Sequence, residues 1–382
     1  MKVGFDLSSL VYNRGVSRYS ENLFVALSQL LDVELFAYGS SGRGMNMLHS
    51  QLDHLRSRLS ADEQKVFDQN LRLQRLPPQL NHWCWHYWHC NQVKALMSEI
   101  EVFHSWDYLQ PPDKDLPLVS TIHDLAMLKY PHTANRKVLL HHQESWQILK
   151  QRKAHIIAVS EATRQDVIEL LGFPAERVHL VYEALPTNSV LPPEELTEEN
   201  FTKVKVKYGL ERDYVLFVGT REPRKNLKRL VEAWWPLREE IDLVLVGASG
   251  WQEPKYKHPH LRVLTDVDNH DLGLLYHLAK MLVYPSLDEG FGLPILESFA
   301  YGTPVVTSKG VATQEVAGKA AELVDPYEVE EITGAMRTLL GENEHEQATR
   351  YRLMQKQLSK FSWEKAARET KAVYQQAIQE RA

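Results

Sequence analysis

Two glutamates, Glu289 and Glu297, stand eight positions apart in the segment YPSLDEGFGLPILESFAYGTPVVT, residues 284–307. Gly290, Phe291, Gly292, Leu293 and Pro294 lie between them. The pattern predicts a strand ending at Tyr284-Pro285, a glycine loop, and a helix beginning near Leu293-Pro294, where a first-turn proline is favoured. Small or absent side chains let backbone amides approach an anion, and a helix N-terminus adds roughly half a positive charge. One carboxylate can face a ligand from the loop while the other, in the first helical turns, reaches a hydroxylated ligand. A second set runs from Arg221 to Arg229, five basic side chains against the single acid Glu222, a local net of +4. It follows a strand-like run and Gly219, and in doubly wound sheets ligands bind outside the carboxyl ends of strands. The chemistry these residues suit is phosphate binding. Lys225 and Arg224 are the candidate contacts, with Arg221 as a competitor.

The elements that must position these residues fall into two halves. In the first, strand-like runs are expected at Lys2–Leu7, Val33–Tyr38, Glu101–His104, Leu118–Ile122, Ile156–Val159 and Val178–Tyr182. A loop holding Gly15 leads into an amphipathic helix over Ser17–Leu31. Residues 185–200 carry Pro186, Pro192 and Pro193 among Thr, Asn and Glu, which is linker composition. The pattern restarts at Tyr214–Gly219, Asp242–Gly247, Arg262–Leu264, Met281–Tyr284, Thr303–Thr307 and Ala321–Val324, and a polar-faced helix closes the chain at 362–379. Short apolar strands alternating with helices predict α/β architecture with parallel, doubly wound sheets, and two such units imply a cleft for a ligand. The boundaries expected are 1–187 and 200–362, with the helix 363–382 packing back on the first domain.

Composition agrees. The chain has 382 residues, 43% hydrophobic and 25% charged, enough apolar material for two cores. A net charge of -6 argues against a nucleic-acid partner. Two cysteines build no disulfide framework and suit a reduced, cytoplasmic interior. No run approaches the ~20 apolar residues of a membrane span, and the N-terminus reads as a strand rather than a signal peptide. Two segments stay open. Residues 81–90, NHWCWHYWHC, hold three histidines and two cysteines but match no structural zinc spacing; packing, acceptor or lipid contact, and metal are all readings. The run Arg136–His155 carries Arg136, Lys137, Lys150, Arg152 and Lys153 against Glu144. It suits either an anionic membrane surface or an ordinary solvated helix.

Residues 284–307 resemble the E-x7-E signature of the retaining, nucleotide-sugar-dependent glycosyltransferases of family four, whose fold is GT-B, two Rossmann-like domains facing a cleft. Further landmarks resemble the family in order: Val218-Gly219 with Pro223-Arg224-Lys225-Asn226-Leu227, Thr121-Ile122-His123-Asp124-Leu125, Ala158-Val159-Ser160-Glu161, Glu315-Val316-Ala317-Gly318, and Phe361-Ser362-Trp363-Glu364. Gly15-Val16-Ser17-Arg18-Tyr19 resembles the first loop of a mannosyltransferase-like subgroup, although many relatives carry a double glycine there. The resemblance implies transfer of a hexose from a nucleotide-diphosphate sugar to a glycan or lipid-linked acceptor. It places Glu297 on the ribose, Glu289 at the transferred sugar, the amides of Gly290 to Leu293 around sugar and phosphate, and Lys225 and Arg224 on the diphosphate. It puts His123 among the catalytic residues, in the wall of the first domain near the reacting sugar, and Asp124 and Gly15 on the acceptor side. Leu264-Thr265-Asp266-Val267, where relatives contact the base, has no glycine, so UDP and GDP both stay open. The resemblance implies that the lysine-arginine pair stands in for a divalent cation, and metal-independent activity without a cofactor is expected. Two other readings are an epimerase of the same fold and a nucleotide-sugar-binding protein without catalysis.

Overall fold

The computed structural model describes residues 1–12, 15–131, 136–187, 189–250 and 257–381. The chain forms two compact units, one of Met1–Leu128, Ala134–Pro186 and Ser362–Ala382, the other of Lys129–Thr133 and Thr187–Phe361.

In the first unit seven strands run parallel: β1 (Lys2–Asp6), β2 (Glu34–Ser40), β3 (Arg72–Gln74), β4 (Val102–Trp106), β5 (Leu118–Ile122), β6 (His155–Ala158) and β7 (Val178–Leu180). Their order in the sheet is β3-β2-β1-β4-β5-β6-β7. All five residues of β5, Leu-Val-Ser-Thr-Ile, are buried, as expected of a central strand in a parallel sheet covered by helices. β3 is an addition to the expected strands; its Arg-Leu-Gln is half-buried at the sheet edge and offers no apolar run. The first helix is Gly15–Ser28, so Gly15 opens the helix instead of lying in a loop. The helix Trp363–Gln379 lies in this unit, burying Ala366, Ala367, Thr370, Val373, Tyr374 and Ala377. The core gathers Tyr38, Trp85, Phe103, Ile122, Trp146 and Ile156.

The second unit holds six parallel strands: β8 (Tyr214–Val218), β9 (Asp242–Val246), β10 (Leu261–Leu264), β11 (Met281–Tyr284), β12 (Val305–Ser308) and β13 (Glu322–Val324). Their order is β10-β9-β8-β11-β12-β13. The strand order reverses between β8 and β11, as it does between β1 and β4 in the first unit, and such a switch point opens a crevice at the strand C-termini. Both charged segments singled out by sequence leave the sheet there, one after β8 and one after β11.

Candidate active site

After β8 the chain passes Gly219 at φ +151 and approaches the β9 loop so closely that a Cβ on Gly247 would sit 2.2 Å from the Gly219 carbonyl oxygen. Only glycine fits at 247. A short 3-10 turn, Pro223–Lys225, follows, and Asn226 then takes a left-handed conformation at φ 60 before the helix Leu227–Trp234. Asn226 Nδ2 donates to the carbonyls of Pro285, at 3.0 Å, and Pro326, at 2.6 Å. The β8 turn is thereby tied to the β11 loop through Pro285 and to the loop after β13 through Pro326. The backbone adds a third tie, Leu287 N–H to the Arg224 carbonyl at 2.8 Å.

That stitching sets the geometry of Glu289. Its Oε1 lies 2.5 Å from Lys225 Nζ and its Oε2 lies 2.9 Å from Arg224 Nη1. Glu289 and Lys225 are both buried. Burial works to raise the Glu289 pKa, but the charges of Arg224 and Lys225 prevail and hold it at about 2. Burial pulls the Lys225 pKa down, opposed by Glu289. Lys225 also donates to the Tyr284 hydroxyl at 2.5 Å and lies 5.0 Å from the centre of that ring. Arg224 reaches further, to the Asp288 carbonyl at 2.7 Å and to Glu222 at 2.7 Å. One carboxylate thus holds two cations in a desolvated pocket where charges act strongly.

Gly292 caps the helix Leu293–Ala300 at φ 113, with Pro294 in its first turn. Phe291 is buried and meets the Phe361 ring edge-on at 5.5 Å. Gly290 and Gly292 flank it without side chains, so Phe291 is the one side chain of the loop between Glu289 and the helix. Glu297 is buried in this helix and accepts from the Tyr276 hydroxyl at 2.7 Å. Arg221 is buried, and its guanidinium donates to the Gly247 carbonyl, bracing the two glycine turns against each other. Val267 is half-buried in the loop after β10, just ahead of Asp268, which caps the helix Asn269–Leu278.

In the first unit, His123 follows β5 with Nδ1 3.2 Å from Glu183 Oε1 and its ring 4.7 Å from that of Tyr19, edge to face. Burial works against its charged form, but Glu183, with Asp107 and Asp124, keeps its pKa above the ordinary 6.5. Asp124 Oδ1 accepts from the Ala126 amide at 3.0 Å and so starts the short helix Ala126–Lys129. Behind His123, Thr121 Oγ1 is shared by Tyr19 at 3.1 Å and His104 Nε2 at 2.8 Å, and His104 Nδ1 meets the Tyr374 hydroxyl at 2.5 Å. A small cavity of about 10 Å³, room for roughly one water, lies at the ends of β1, β4 and β5 and is lined by Asp6, Tyr19, His104 and His123. Burial lifts Asp6 there to about 6, against its bonds to Ser8.

The structure therefore brings Glu289, Lys225 and Arg224 together, seats Glu297 one helical turn inside the adjoining helix, and places His123, Asp124 and Gly15 in the other unit. Sequence reasoning missed Tyr284, Tyr276 and Glu183 as their partners, and it quoted Asn226 without a role. Tyr284 ends β11 and Glu183 follows β7, and being at a strand C-terminus is the one signal that could have found them.

The family description "Glycosyltransferase Family 4" matches residues 13–189, and "Glycosyl transferases group 1" matches residues 199–355. The chain is 33% identical over 270 residues to the O-antigen chain mannosyltransferase B of Escherichia coli, covering 67% of this chain and 69% of that protein. It is 28% identical over 235 residues to the serotype-specific mannosyltransferase WbdA of Escherichia coli, covering 57% of this chain and 28% of that protein. The fold matches Anabaena Alr3699/HepE, solved in complex with UDP and glucose, at a TM-score of 0.67 and 16% identity, over 97% of this chain and 98% of that one.

Proposed function

Because the chain belongs to glycosyltransferase family 4, we propose that it is a retaining hexosyltransferase of polysaccharide biosynthesis. In this reading it moves mannose, or a related hexose, from a nucleotide-diphosphate sugar to a glycan or lipid-linked acceptor. The observation that carries the reading is the buried Glu289 shared by Lys225 and Arg224 at the switch point of β8 and β11. Loss of a nucleotide diphosphate from a sugar leaves negative charge on phosphate oxygen while the anomeric carbon becomes cation-like. Preorganised positive groups in a dry site stabilise that separation better than water does. In this reading Lys225 and Arg224 take the phosphates, and the amides from Gly290 to Leu293 add the helix dipole. Glu289 keeps the two cations aligned and presents its carboxylate to the sugar, and Glu297 takes the ribose hydroxyls.

Retention follows if the acceptor oxygen bonds to the anomeric carbon on the face that the phosphate leaves. The carbon–phosphate oxygen bond breaks, and the acceptor's proton passes to that phosphate oxygen. With two fixed cations on the diphosphate, no divalent metal is required for this step. In this reading the donor is GDP-linked, a choice that rests on the resemblance to the mannosyltransferase-like subgroup. Contact of the helix Arg136–Gln151 with an anionic membrane at the cytoplasmic face belongs to the same reading, supported by its exposed Val138 and Leu140. Lys150 and Arg152 contribute less to it, since they bond the carbonyls of Leu171 and Pro111. No helix among the described residues is long and apolar enough to cross a membrane.

A panel of nucleotide sugars incubated with the full chain, in buffer free of Mg²⁺ and Mn²⁺, tests the reading. One donor is expected to release its nucleotide diphosphate slowly, and faster with acceptor glycan. Lys225→Ala should lower kcat/KM for it by about 100-fold or more. Isomerisation of the sugar at C2, or no release from any donor with any acceptor, would overturn the proposal.

A further inference from the structure

Residues 78–90 and the helix Arg136–Gln151 meet in the first unit through a cluster that the sugar chemistry does not use. His82 Nε2 lies 2.9 Å from Glu144 Oε2 and 3.1 Å from His141 Nδ1. The rings of His86 and His141 each lie 4.4 Å from that of His82, centre to centre. One ligand atom from each of His82, His86 and Glu144 falls within 4.8 Å of the others. His82 and His86 are brought onto one side by a π-helical turn, Trp83–Tyr87, whose wider winding nearly aligns residues four apart. His141 and Glu144 are three apart on the facing helix, so they too share a side.

The hydrogen bonding of this cluster does not close. A single proton on His82 Nε2 serves Glu144 or His141, not both. The buried Nδ1 atoms of His82 and His86 have no partner among the described residues. An ion between these groups takes the lone pair of His82 Nε2 and removes the competition for its proton. A tetrahedral zinc ion bound at 2.0–2.1 Å spaces neighbouring ligand atoms by about 3.3 Å, close to the two short separations seen here. Three imidazoles with one carboxylate are a ligand set of borderline character, the type zinc selects. Glu144 is about half exposed, which gives the ion a way in, and Tyr87 donates to its other oxygen at 3.4 Å.

We propose that His82, His86 and Glu144 form a zinc-binding site, with His141, which lies beside His82, drawn in as the fourth ligand, and that the ion clamps the π-helical turn to the helix Arg136–Gln151. The cysteines that drew attention in the sequence play no part. Cys84 and Cys90 stand outside the cluster, and the missing ligands come from a helix some fifty residues further along the chain. The clamp fixes the face of the first unit from which Trp83, Tyr87 and Trp88 project exposed. It is made of first-unit residues alone, so it is separate from the metal-free step proposed at Lys225 and Arg224.

The full chain, stripped with chelator and returned to metal-free buffer, is titrated with Zn²⁺ and assayed for bound metal by elemental analysis and for Tm. About one zinc per chain and a raised Tm are expected. Glu144→Gln, at a half-exposed position that folding tolerates, should weaken zinc binding at least 10-fold and abolish the Tm rise, and His141→Gln should do the same. Cys84→Ser with Cys90→Ser should leave both unchanged. Co²⁺ in place of zinc should give the visible bands of a four-coordinate site without thiolate charge transfer. Failure to bind zinc stoichiometrically, affinity unchanged in Glu144→Gln, or a thiolate band with Co²⁺ would each overturn the proposal. None of these readouts depends on transfer activity.

Discussion

At the scale of single residues, the two units treat their carboxylates in opposite ways. Glu289 is surrounded by cations and stays charged even in acid, whereas Asp6, buried and bonded by Ser8 and Trp106, is lifted to about 6. Glu183 is the case with a consequence for pH. It faces His123 at 3.2 Å from a buried position and holds the imidazole pKa above 6.5. A raised native pKa means the folded state gains a proton more readily than the unfolded one. The associated stability is complete below pH 6.5 and fades as pH climbs through the native value. An NMR titration should therefore find His123 above 6.5, and Glu183→Gln should bring it below, with burial left as the dominant influence. A His123 pKa unchanged in Glu183→Gln would remove this pairing as the cause. The acid partner was hidden in the sequence because sixty positions separate it from His123, and only the β5-β6-β7 order makes them neighbours.

At the scale of elements, the loops after β8 and β11 work as one piece because Asn226 joins them. The sequence told a good deal here: the strand ends, the first-turn Pro294 and the glycine turn were all legible from local pattern. The tie was not, because bonds from Asn226 to the carbonyls of Pro285 and Pro326 span 59 and 100 positions and leave no periodic trace. β3 escaped for the opposite reason, being too short and too polar to show an alternation. Asn226 carries two separable jobs, the left-handed turn and the two side-chain bonds. Asn226→Gly keeps the turn and loses the bonds, and urea unfolding should show a loss of about 1–3 kcal/mol. Asn226→Ala loses both and should cost about 1 kcal/mol more, since a Cβ disfavours that conformation. Equal stability of the two variants would mean the backbone conformation contributes nothing here. Both should also raise KM for the donor, since Arg224 and Lys225 precede the turn directly.

At the scale of the whole molecule, a net charge of -6 conceals the +4 run at 221–229, and its distribution says more than its sum. The chain order conceals something similar, because the last helix completes the first unit. Trp363 Nε1 donates to the Leu185 carbonyl at 2.9 Å, Tyr374 closes the His104–Thr121–Tyr19 chain, and the Trp363 ring lies 5.8 Å from that of Tyr19. The amphipathic pattern of residues 362–379 announced a helix with one buried face, but no feature of the sequence alone states what that face covers; only the family resemblance pointed to the first domain. Removing residues 362–382 would uncover the face of the helix Gly15–Ser28 on which the last helix packs and take the Tyr374 hydroxyl from His104. The second unit, with its own sheet and core, makes none of those contacts. Hydrogen exchange on the truncated chain should therefore rise over the helix Gly15–Ser28, β4 and β5, and stay unchanged over β8, β9 and β11. Uniformly raised exchange would mean that the two units unfold as one, and unchanged exchange in the first unit would mean that its core is complete without the helix.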